Sequence, residues 1–150
     1  MPTLEDFYRD SVSSALGGFQ LVEEGLKTYI DIYYGAVRDI LAGKLHFAFD
    51  QSDVQDAPLG RLLTIFSKIC PNKELVSELR GLIKHRNQAA HQAFVCLYDD
   101  ETSTEAYKAM TSANIELTTV LTRLLPQIHA EMVAVHGVLE AHYLATKSAG

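Results

Sequence analysis

The sequence predicts an all-α fold: an up-and-down bundle of four to five helices, forming one domain over residues 1–150. Three observations lead there. Apolar residues recur at three- and four-residue steps through several long stretches. The breaks between those stretches hold turn-forming residues: Gly43, Pro58, Pro71-Asn72 and Asp99-Asp100. A chain of 150 residues suits one domain with a sizeable core.

The first helix starts after Thr3, because Asp6 three residues on completes a capping box with Asp in place of the usual Glu. Its stripe runs from Leu4 to about Leu41 through Phe7, Val12, Phe19, Val22, Leu26 and Ile30. Gly17-Gly18 is a place to bend or break it, since each Gly costs about 1 kcal/mol against Ala. Tyr29, Tyr33 and Tyr34 read either as a base-stacking platform or as core and interface residues.

Gly43 to Ala57 is a connector in which His46, Phe47 and Phe49 precede a polar run. Its aromatics are expected to anchor it, and such segments also carry binding residues. Pro58 fits the first turn of a second helix carrying Leu59, Leu62, Leu63, Phe66 and Ile69. Pro71-Asn72 ends that helix, and Asn72 can cap the next. The third helix is expected from Lys73 to about Phe94 or Leu97. Asp99 to Ser103 reads as a turn and helix start. The last pattern spans Thr104 to Thr146, with Pro126 expected to kink or split it and Lys147 to Gly150 expected to fray.

Charge and composition bound the function. The net charge is −6 with His neutral, which argues against an extended non-specific nucleic-acid footprint. A local basic cleft remains open to RNA, and the acidic remainder would suit a basic protein partner. No run of about 18 apolar residues suggests a membrane span, and the acidic start lacks a signal-peptide pattern. The two cysteines, Cys70 and Cys96, form no CxxC pair and fit a reduced, cytoplasmic setting. No Glu-x-x-His or His-x3-His pair occurs, so no cofactor and no metal is expected. His129, His136 and Glu140 share a face that reads as solvated helix surface or a weak surface site.

Lys84-His85-Arg86-Asn87-Gln88-Ala89-Ala90-His91 interrupts the stripe of the third helix with strong polar groups. Arg86 lies four after Leu82 and four before Ala90, so it points where a core residue should point. An unpaired buried Arg costs several kcal/mol, and such violations of pattern concentrate at functional sites. Asn87 and His91 are i, i+4 neighbours, while Arg86 and His91 stand about 140° apart on an ideal helix. Arg80, Lys84 and His85 add positive charge nearby. A guanidinium, an amide and an imidazole on one patch are what metal-free phosphodiester cleavage would use. The competing reading pairs Arg86 with a carboxylate inside the bundle and leaves His91 an ordinary surface histidine.

Arg86-Asn87-Gln88-Ala89-Ala90-His91 resembles the R-x4–6-H signature of the HEPN superfamily, including its polar residue after the Arg. Pro58 to Phe66 is similar to the Leu-Gly-x-Leu-Ile-type helix before that motif, and Glu23 to Ile30 resembles the family's first long helix. The resemblance implies a helical bundle that pairs as a homodimer. It also implies a metal-independent endoribonuclease of a toxin–antitoxin or phage-defence system, with a protein antitoxin or regulator as partner. By that resemblance His91 transfers protons, Arg86 stabilises transition-state charge, and Asn87 positions the phosphate or orients Arg86. Arg80, Lys84 and His85 would hold RNA. Some members keep the fold without activity, so a non-catalytic interaction or nucleotide-binding module is the rival reading.

Overall fold

A computed structural model of the chain describes residues 1–96 and 102–150, with backbone alone for 94–96. Among the described residues four helices make the bundle: α1 (Leu4–Leu41), α2 (Leu59–Ile69), α3 (Lys73–Cys96) and α4 (Thr104–Ser148). A single 3-10 turn, Gln51–Asp53, lies in the connector. Among the described residues no helix is long and apolar enough to cross a membrane.

The predicted caps form. The Thr3 hydroxyl accepts from the Asp6 backbone N–H at 3.1 Å, and the Asp6 carboxylate accepts from the Thr3 backbone N–H at 2.7 Å. Asn72 Oδ1 accepts from the Leu75 N–H at 3.1 Å, and Ser103 Oγ accepts from the Ala106 N–H at 3.2 Å. Pro58 sits one residue earlier than expected, at the N-cap of α2. The expected turn from Asp99 to Glu101, like Leu97, lies outside the described residues.

The first helix is the one long helix expected, and the last is not split. α1 runs through Gly17-Gly18 as one helix, and α4 runs through Pro126. Both Pro126 and Thr122, whose carbonyl loses its helical donor, are exposed. Water can therefore satisfy the orphaned acceptor.

The all-helical bundle is as expected, but its helices do not alternate strictly in direction. Tyr8 meets Tyr107 edge-on at 5.4 Å, and Asn114 Nδ2 donates to Ser11 Oγ at 3.2 Å. Further along, Gly18 faces Leu121, Gly25 faces Ile128, and the Tyr143 hydroxyl donates to Asp39 at 2.8 Å. Residue numbers rise together on both helices, so α1 and α4 run parallel. The steps Ser11, Gly18, Gly25 and Asn114, Leu121, Ile128 are heptads, the repeat of helices that pack at a shallow angle. Gly18 permits the approach: a Cβ there would lie 2.9 Å from Leu121 Cδ1.

α3 runs the opposite way. Glu78 pairs with Arg123, while Ala93 and Tyr107 line one concavity. α2 is antiparallel to α3, because Arg80 bonds Ser67 while Gly60 lies beside Asn87. α1, α2 and α4 therefore share one direction, and the connector must return down the bundle to allow it. Arg38 Nη1 donates to the Phe49 carbonyl, and Phe47 and Phe49 pack on Tyr34 at 5.7 and 5.8 Å. The aromatics thus anchor the connector, as expected.

The core sits where all four helices meet, with Leu26, Ile30, Leu62, Phe66, Leu79 and Leu124 essentially sealed. Tyr29 belongs to it: its hydroxyl donates to the Ile69 carbonyl at 3.3 Å, its ring meets Phe66 at 4.9 Å, and burial raises its pKa. Tyr33 stacks on Tyr29 at 6.3 Å. The tyrosines are packing residues rather than an open platform.

Candidate functional site

α3 remains a regular α-helix through the motif, so side-chain directions follow the 100° step. Leu75, Leu79, Leu82 and Ala89 face the core. Arg86 projects with them toward α1, yet its side chain keeps 44% exposure and comes 3.9 Å from the Glu23 carboxylate, itself 21% exposed. Arg86 is therefore at the rim of the core, not inside it. Beyond Arg86 lies a concavity floored by Leu59, Gly60 and Ile83, at the start of α2, with Asn87 on its edge.

Arg80, Lys84, Asn87, Gln88 and His91 form the exposed crest of α3. Asn87 and His91 share it at i, i+4, as the spacing predicts. His91 stands about 140° around the helix from Arg86, and no distortion of α3 brings the two together. Within one chain the structure therefore joins Asn87 to each of them but does not converge all three. Arg80 is engaged, donating to Ser67 Oγ at 2.9 Å. His85 leaves the crest on the opposite side and lines a second concavity, between α3 and α4.

That second concavity combines Gln88 and Ala89 of the Arg86–His91 motif with groups from outside it. Gln88 and Gln92 from α3 and Asn114 from α4 line it together with Ala89, Ala109 and Ala113. Asn114 is 4% exposed. The signal for it was in the sequence: a lone amide on the heptad that also carries Leu121 and Ile128. Glu23 was less visible, since its significance depends on which face of α1 meets α3.

Other chemistry finds little foothold. Among the described residues no group of three or more His, Cys, Asp or Glu side chains is placed to hold a metal ion. Cys70 is buried, and burial pushes its thiol pKa up, away from the reactive thiolate. The Cys96 side chain lies outside the described atoms.

No protein-family model matches the chain, and no curated protein or solved structure matches it.

Proposed function

We propose that this protein is a metal-independent endoribonuclease of HEPN type that acts on intracellular RNA in the cytoplasm. The observation that carries this reading is that neither Arg86 nor His91 is sealed. His91 stands on an open crest, and Arg86 keeps nearly half its side chain accessible, with the Glu23 carboxylate at the outer limit of pairing distance.

The reaction is transesterification. The ribose 2′-OH loses its proton to a base and attacks the adjacent phosphorus. The 5′-oxygen leaves and takes a proton from an acid, giving a 2′,3′-cyclic phosphate and a 5′-hydroxyl. His91 supplies proton transfer, and Arg86 stabilises the charge on the phosphorane-like transition state. Asn87, beside both, positions the phosphate. Arg80, Lys84 and His85 contribute attraction to the RNA backbone. A base and an acid call for two imidazoles, and the α3 crest of a second, two-fold-related chain supplies the other. A toxin–antitoxin or phage-defence role, with a protein antitoxin holding the cleft closed, follows from the HEPN resemblance.

The second reading is a non-catalytic interaction module. It is favoured by the Arg86–Glu23 contact and by the wide angle between Arg86 and His91. Incubating the protein with RNA in EDTA separates the two. Cleavage with cyclic phosphate ends supports the enzyme; intact RNA, or cleavage only with added Mg²⁺ or Mn²⁺, overturns it.

A further inference from the structure

The concavity between α3 and α4 draws Gln88 and Ala89 from the Arg86–His91 motif and the rest of its lining from outside it. Its volume is about 260 Å³, smaller than the roughly 300–1,000 Å³ of sites for drug-sized ligands. That is room for one planar ring. Among the described residues no Lys, Arg, Asp or Glu lines it. A phosphate would meet no Lys or Arg among those residues, only the His85 imidazole.

Its polar groups are three amides and the His85 imidazole. Gln88 and Gln92 are i, i+4 neighbours on α3, so both reach the same mouth. Neither has a hydrogen-bond partner among the described residues. Asn114 sits opposite them and is fixed from behind: its Nδ2 donates to Ser11 Oγ, and that hydroxyl donates to the Tyr8 carbonyl at 2.7 Å. Each amide presents a donor and an acceptor side by side, which is the pattern displayed by a nucleobase edge. The small side chains of Ala89, Ala109 and Ala113 leave room for the face of a ring, and the His85 imidazole in the lining is available for stacking.

We infer that this groove is a nucleobase-binding site, read by the Gln88 and Gln92 amides, with Asn114 as a preset wall. Resting on the ribonuclease reading, it is the specificity pocket of the same active face. Gln88 lies on the crest beside His91, so a base in the groove would leave its phosphate near the motif. The ligand chemistry is the base alone, which a free nucleoside and an RNA chain both carry.

The protein supplies its own reporter. It contains three methionines, Met1, Met110 and Met132, and only Met110 of these lines the groove. With 13C-methyl methionine in the full chain, titration with adenosine, guanosine, cytidine and uridine should move the Met110 signal for at least one nucleoside and leave Met132 still. Gln92→Leu should abolish that shift. In parallel, four RNA homopolymers should bind wild type unequally. Gln88→Ala and Gln92→Leu should shrink the spread by about 10-fold, the scale of one base-edge contact. If nucleosides shift Met110 but RNA is never cut, the groove stands and the ribonuclease reading falls. If RNA is bound or cut and neither variant changes the preference among bases, the groove proposal is overturned. A Met110 signal unmoved by all four nucleosides overturns it as well.

Discussion

The Arg86 guanidinium of α3 approaches the Glu23 carboxylate of α1 to 3.9 Å, with the Arg side chain 44% and the Glu side chain 21% exposed. This contact ties the motif helix to the first helix without enclosing the charge. An ion pair this open contributes about 0–1 kcal/mol. Breaking a fully buried pair would cost about 3–5 kcal/mol. Arg86→Ala is therefore expected to unfold in urea within about 1 kcal/mol of wild type. A loss of 3 kcal/mol or more would make Arg86 a structural ion instead.

The parallel α1–α4 contact makes opposite predictions for adjacent glycines. A Cβ at Gly17 would meet nothing within 4 Å, whereas one at Gly18 would press on the buried Leu121 at 2.9 Å. Gly17→Ala should stabilise by about 0.5–1 kcal/mol through helix propensity. Gly18→Val should destabilise by about 1–3 kcal/mol through overpacking. Denaturation midpoints check both; equal effects would mean that the two helices do not approach at Gly18.

Acid should weaken the fold through named carboxylates. The backbone N–H and hydroxyl of Thr3 hold the Asp6 pKa below its ordinary value, and hydrogen bonding from Arg123 does the same for Glu78. A group with a lowered folded pKa contributes stability above its unfolded pKa, and that contribution disappears as pH falls through the folded value. Stability should thus decline from about pH 4.5 downward. Asp6→Asn should start less stable at neutral pH and decline less steeply. Parallel curves for the two proteins, measured by urea unfolding at each pH, would contradict the assignment.

Much of the fold was legible because helix caps and apolar stripes are local. Thr3, Asn72 and the Leu4–Leu41 stripe needed no tertiary information. Helix direction was less accessible. It depends on the heptad match of Ser11, Gly18 and Gly25 with Asn114, Leu121 and Ile128, and four of these six positions are small or polar and so stand outside an apolar stripe. Pro126 does not split α4, because its missing bond falls on solvent. At the site, the shared face of Asn87 and His91 followed from spacing alone. The exposure of Arg86 did not, since it depends on how far α2 and α1 extend over it.

A dimer sharing the α3 crest carries its own test. The chain has a mass of 16.6 kDa, and light scattering at micromolar concentration should give twice that. A competing surface exists on α4, where Val133, Val138 and Leu144 are 55%, 62% and 63% exposed. Val138→Asp should leave the dimer and its activity intact. Dissociation by Val138→Asp would put the interface on α4 and leave the second imidazole unsupplied.

The central claim is that Arg86 and His91 perform chemistry rather than hold the bundle together. The most direct measurement is cleavage of RNA in EDTA by wild type, His91→Ala and Arg86→Lys, with thermal melting of the same samples. Losing proton transfer should slow cleavage by about 10²–10⁴-fold. Replacing the planar guanidinium with an ammonium should also impair it, despite the retained charge. Both variants should melt like wild type, because His91 is exposed and Arg86 half-exposed. Undiminished cleavage by His91→Ala, or no cleavage by the wild-type protein, would contradict the account.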